Sequence, residues 1–109
     1  MSVAFFMPSN VFSKEAIAAN GTGGGAPTQT TRNSGVSVFV VTSDAMNVDV
    51  ELPANAIEGD LVEFHAINAT GLNVCAPSGE TVGTAGQFIY GTAGRVFRKA
   101  TATYWSCLA

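Results

Sequence analysis

His65 is the only histidine in this 109-residue chain, and Glu63 stands two residues before it, the spacing that puts a carboxylate and an imidazole on one face of a strand. A carboxylate so placed can orient the ring for general acid–base work, but hydrolysis also needs a nucleophile or a metal-bound water, and no spacing in the chain supplies either. We therefore read Glu63 and His65 as a surface pair on a sheet, and Asp60 as the only other acid close enough in sequence to join them. No catalytic residue is assigned, and no enzyme is expected. Cys75 and Cys107 with one distant histidine cannot furnish the four ligands of a structural zinc site, so neither a metal nor a cofactor is expected. Both cysteines sit in apolar strand patterns and read as free core thiols, with a Cys75–Cys107 disulfide as the alternative. The glycine run at residues 21–25 has the composition of a phosphate-cradling loop, but no strand precedes it, no Gly-Lys-Ser or Gly-Lys-Thr closes it and no long helix follows. It reads as a linker.

Composition narrows the partners. Apolar residues make up 47% of the chain and charged residues 12%, so a core can be filled while the surface is left to Thr, Ser, Asn and Gly. A surface so poor in charge suits a protein that sits against neighbours. The net charge is −3, and Asp44, Asp49, Glu51, Glu58, Asp60, Glu63 and Glu80 crowd the middle of the chain. That balance argues against binding nucleic acid through its phosphates. No segment approaches the ~20 apolar residues of a membrane span, and no charged start followed by an apolar stretch marks a secretion signal. We expect a chain made in the cytoplasm, with no membrane partner.

The elements that must position these residues fall into two parts. Residues 1–35 are expected to form an extended N-terminal arm, a short helix and a Gly-rich linker. The helix has Ser13 as its N-cap, Lys14-Glu15-Ala16-Ile17-Ala18-Ala19 as its turns and Asn20-Gly21 as its stop. Residues 36–109 form the second part, where the hydrophobic period switches to two. Val36, Val38 and Val40 share one face of a strand and Ser37, Phe39 and Val41 the other, an apolar density that marks a strand covered on both sides. Met46, Val48, Val50 and Leu52 alternate with polar residues in the manner of a strand with one wet face. Asn68-Ala69-Thr70-Gly71 reads as a hairpin-type turn, and further strands follow at about ten-residue spacing. The expected fold is all-β: an antiparallel β-sandwich or jelly roll, or a small barrel.

Several side chains are candidates for an interface. Val3, Phe5, Phe6 and Met7 form an uncharged apolar stretch ahead of a flexible tether with a reach on the order of 20 Å, enough to reach a second subunit as well as to fold back. Arg95 and Arg98 lie on opposite faces of one strand, as a solvated edge or as salt-bridge partners for another chain. Trp105 and Tyr104 also point to opposite faces, one into the core and one outward.

The stretch Ala56-Ile57-Glu58-Gly59-Asp60-Leu61-Val62-Glu63-Phe64-His65-Ala66-Ile67-Asn68, the stretch Leu72-Asn73-Val74-Cys75-Ala76-Pro77-Ser78-Gly79-Glu80-Thr81-Val82, and Gly94-Arg95-Val96-Phe97 through Tyr104-Trp105-Ser106-Cys107 resemble a β module of tailed-bacteriophage virion proteins. In that module a Gly-Asp pair opens a strand ending at Asn, a Pro-x-Gly turn precedes a short strand, and a terminal Trp precedes the last core strand. The resemblance covers about half the chain and implies a structural role on the virion. The expected function is a capsid decoration, or cement, protein that forms a homotrimer on the outer surface of a phage head and clamps the major capsid protein. The alternative it leaves is a receptor- or glycan-binding module of a phage fibre.

Overall fold

The computed structural model describes residues 12–18, 27–42, 47–67, 71–83, 88–91 and 95–108. Among these there is no helix. Ten strands occur in chain order: β1 (Phe12–Ala18), β2 (Thr28–Gln29), β3 (Val36–Thr42), β4 (Asn47–Glu51), β5 (Leu61–Ile67), β6 (Gly71–Cys75), β7 (Thr81–Val82), β8 (Phe88–Gly91), β9 (Arg95–Lys99) and β10 (Tyr104–Cys107). They form a six-stranded sheet A in the order β1-β3-β5-β9-β10-β7 and a four-stranded sheet B in the order β2-β4-β6-β8.

The sheets are mixed, which corrects the antiparallel expectation. β1 pairs with β3, β3 with β5, β2 with β4, β4 with β6 and β7 with β10 in parallel, whereas β5–β9, β9–β10 and β6–β8 are antiparallel. From β1 to β6 the chain alternates between sheets, so each strand pairs with the one an entire coil earlier. Val36 pairs with Leu61 and Asn47 with Gly71. The short connection at residues 68–70 suggested a hairpin by length, but the strands on either side of it lie in different sheets. β9 and β8 then return antiparallel on β5 and β6 and cap the last coil.

Two strands come from residues expected ahead of the β domain. Phe12–Ala18, which includes most of the segment expected to be helical, is a strand pairing with β3 over seven residues. The alternative partner explains the change: a two-turn helix in isolation is marginal, while an exposed edge of β3 offers a full ladder of hydrogen bonds. β2 likewise pairs with β4, so residues on both sides of the boundary expected after residue 35 share the same two sheets.

One cluster of buried side chains joins the sheets: Phe39, Val41, Val62, Phe64, Phe97 and Trp105 from sheet A meet Val50, Leu72 and Val74 from sheet B, with Leu52, Ala56 and Val82 beside them. Phe39 and Phe64 are register partners, and their rings stack at 5.4 Å between centroids. Phe97 closes on Phe64 edge-on at 6.1 Å. Both arrangements suit the ring quadrupole.

The corners that bring the chain back from sheet B repeat as well. Ala56 donates to the Pro53 carbonyl at 3.3 Å and Glu80 to the Pro77 carbonyl at 2.9 Å, so one turn opens at each proline. A second turn, Ile57-Glu58-Gly59-Asp60, is closed by the Asp60 N–H on the Ile57 carbonyl at 3.1 Å. Gly59 and Gly79 take φ of 94° and 84°, values at which a side chain would be strained.

Candidate interaction surface

Strand alternation divides the polar and apolar residues sharply. Inward positions of sheet A are those of the core, so Val36, Val38 and Val40 of β3, Leu61, Glu63 and His65 of β5, and Val96 and Arg98 of β9 point to its outer face. Register arranges them in rows: Val36, Leu61 and Arg98; then Val38, Glu63 and Val96; then Val40 and His65. Val36, Val40, Leu61 and Val96 are partly exposed, and Val38 is 5% exposed, covered by its neighbours. Glu63 and His65 are in hydrogen-bond contact at the surface, with side chains 35% and 45% exposed. Arg98 is exposed and has no hydrogen-bonding or ion-pair partner among the described residues. The outer face of sheet B is different. Gln29, Asp49, Glu51 and Asn73 stand on it, with Asn73 Nδ2 donating to Asp49 Oδ1 at 2.8 Å, and so does the buried Cys75, while Phe88 and Tyr90 are the register partners of Cys75 and Asn73 on β8.

Two charged groups, Asp60 and Lys99, are spent inside the fold. Asp60 is 4% exposed; its Oδ2 accepts from Arg32 Nε at 2.5 Å and from the Ile57 N–H at 3.0 Å. It is therefore committed to the turn that opens β5 and is no partner for His65. Lys99, 5% exposed, lies 3.2 Å from Glu80 Oε1, donates to the Ala56 carbonyl at 3.2 Å and places its ammonium 5.7 Å from the centre of the Trp105 ring. Trp105 Nε1 donates to the same Glu80 oxygen at 2.8 Å. Each buried charge thus has a counter-charge and hydrogen bonds, the condition for tolerating it in a core.

Of the residues singled out from the sequence, Trp105 is wholly buried and presents no ring to a partner, which removes it from the interface set. Tyr104, half-buried, is the outward member of that pair. Arg95 points inward opposite Phe64, with Nη1 3.8 Å from Cys107 Sγ, and only Arg98 reaches the outer face. Val3, Phe5, Phe6, Met7 and the glycine run at 21–25 lie outside the described residues. Both cysteines are free thiols. Burial, with Glu51 and Asp49 adding to it, pushes the Cys75 thiol up to about 11. Among the described residues no three His, Cys, Asp or Glu side chains gather to hold a metal ion, and no helix is long and apolar enough to cross a membrane.

Sequence reasoning found β3 apolar on both sides, but expected both sides covered, and it missed that Leu61 and Val96 extend the outer apolar face over two more strands. That needed the pairing. It also missed the Lys99–Glu80–Trp105 knot, because nothing in the spacing of residues 80, 99 and 105 marks them as neighbours. A shallow cleft of about 310 Å³ lies between Gln29, Thr30, Thr31, Glu51, Ala54 and Asn55. Its lining is polar and offers no aromatic platform. The site with the more specific composition is the outer face of sheet A: a largely apolar sheet surface that carries Arg98 and the Glu63–His65 pair, with Lys14 at the β1 position in register with Val38. Compared with known proteins, the chain matches no family model, no curated protein and no solved structure.

Proposed function

We propose that this protein is a structural component of a virion: a capsid decoration protein, folded as a β-sandwich of its two sheets, that binds the outer surface of a tailed-phage head as a homotrimer and stabilises adjacent capsomers. The observation that carries the reading is the apolar outer face of sheet A on a chain with only 12% charged residues, a surface made for protein neighbours rather than for substrate or nucleic acid. The phage-module resemblance adds to it. Gly59-Asp60 opens β5, the Pro77-Ser78-Gly79 turn leads into β7, and Trp105 stands in the last strand. The physics of such a role is mass action, since a protein that binds the assembled shell and not its separated parts stabilises the shell. Repetition over many sites makes weak single contacts sufficient.

The test is co-sedimentation of the purified chain with heads assembled from the major capsid protein of the same phage. Saturable binding, together with a higher temperature of DNA release from the decorated heads, is the expected result. Heads that sediment without the chain at any concentration overturn the proposal. The alternative, a glycan-binding fibre module, draws on the polar cleft at Gln29, Glu51 and Asn55, and binding on a glycan array abolished by Asn55→Ala would favour it.

A further inference from the structure

We infer that Lys99 and Glu80 are a site of covalent modification within the chain: the Lys99 amine and the Glu80 carboxyl condense to an isopeptide bond that ties β9 to the corner ahead of β7. The inference stands apart from the proposed function and needs no partner. Three observations lead there. First, the two groups meet where water is largely excluded. Lys99 Nζ lies 3.2 Å from Glu80 Oε1, with side chains 6% and 13% exposed, whereas the Arg32–Asp60 pair keeps its arginine 30% exposed. The wholly buried Trp105 ring covers the ammonium at 5.7 Å. Second, both residues are held in place. The Glu80 N–H is fixed on the Pro77 carbonyl at 2.9 Å, and Lys99 donates its N–H to the Asp60 carbonyl at 3.0 Å while its own carbonyl accepts from the Gly59 N–H at 2.8 Å. A nucleophile fixed against its electrophile has already lost the freedom that a reaction between separate molecules would have to give up. Third, the neighbours fit the product as well as the ion pair. Trp105 Nε1 donates to Glu80 Oε1 at 2.8 Å, the oxygen on which negative charge grows when nitrogen attacks, so the indole N–H stabilises the oxyanion. The Ala56 carbonyl, 3.2 Å from Lys99 Nζ, accepts the single N–H that an amide nitrogen keeps.

The step balances within the pair. One proton passes from the ammonium to the carboxylate, cancelling two buried charges and freeing the amine lone pair. Nζ attacks the Glu80 Cδ, the new N–C bond forms, and Oε2 leaves as water carrying the two protons that the nitrogen gives up. No oxidant, metal or co-reactant enters. The test is the intact mass of the full purified chain, held folded at about pH 7 and then weighed in denaturant, for wild type and Lys99→Arg. Wild type should fall short of its sequence mass by one water, about 18 Da. Lys99→Arg should keep its full sequence mass, because a guanidinium preserves the charge pair but stays protonated and has no free amine to attack. Digestion places the bond. Trypsin should leave the peptide bond after Lys99 uncut and yield residues 99–109 joined to residues 33–95 in one branched peptide. A wild-type chain at its full sequence mass overturns the inference, as does a water loss that Lys99→Arg retains or a digest without the branched peptide. Lys99 is buried, so if Lys99→Arg departs from the wild-type circular dichroism, the wild-type mass and digest decide alone.

Discussion

The two sheets share one core and differ in what they show outside it. On sheet B, Val50, Leu72 and Val74 are buried and Asp49, Glu51 and Asn73 face out, with Cys75 a buried residue at an outward position. On sheet A, β3 is apolar on both sides, and the outward Val38 is nearly as buried as the inward Phe39. A sheet with one wet face needs only the first pattern. The second leaves apolar side chains at outward positions across β3, β5 and β9.

Placing a charge at matched positions breaks the comparison most directly. Val38→Asp should lower stability by about 3 kcal/mol in urea denaturation, the scale of placing a charge on a covered site, with Glu63 in register on one side and Lys14 in register on the other. Asp49→Ser at an outward position of sheet B should stay within about 1 kcal/mol. Equal costs at the two positions would erase the distinction.

The same acidic face of sheet B sharpens the comparison through Cys75. Its thiol, pushed up to about 11 by burial and by Glu51 and Asp49, holds little thiolate at pH 8. Alkylation of the native chain at Cys75 should run roughly a hundredfold slower than that of a free cysteine, read by mass spectrometry of the digested protein. A rate near that of an unhindered thiol would show the carboxylates to be too well hydrated to act on it.

Glu51 gives the smallest effect. Burial first, and Glu80 second, raise its carboxyl above the ordinary 4.5, so the folded state disfavours its charged form. An acid raised on folding costs stability above its folded value, and that cost disappears as pH falls through that value towards 4.5. Glu51→Gln should therefore raise the melting temperature slightly at pH 7, with the gain fading to nothing near pH 4. A gain that persisted at pH 4 would point to packing rather than charge.

The strands were legible because apolar residues alternate at 36–41, 48–52 and 61–67, and the all-β class followed. Their pairing was not. Links as short as residues 68–70 fit a hairpin by length, and a strand reads the same whether its neighbour is the next strand or one an entire coil away. The coil did leave a trace. At a spacing of 24 residues Val50 falls on Val74, Pro53 on Pro77 and Gly59 on Gly83, and at 25 Phe39 falls on Phe64. Those repeats are the prolines and glycines of equivalent corners and the stacked rings of the core, so the period carries physical content. Local propensity in Lys14-Glu15-Ala16 is silent about a free sheet edge, and the pairing of Phe12–Ala18 with β3 could not be read from it. The interface candidates divided by depth: Arg98 and Trp105 are equally visible in sequence, but only pairing shows that one faces out and the other lies under Glu80.

The central claim is the proposed homotrimer, a chain that assembles with copies of itself against protein neighbours. Light scattering of the purified wild-type protein over a range of concentration tests it most directly. The account predicts a mass that rises with concentration from the 11.2 kDa chain towards a small multiple of it. A mass fixed at that of one chain at every concentration would contradict it.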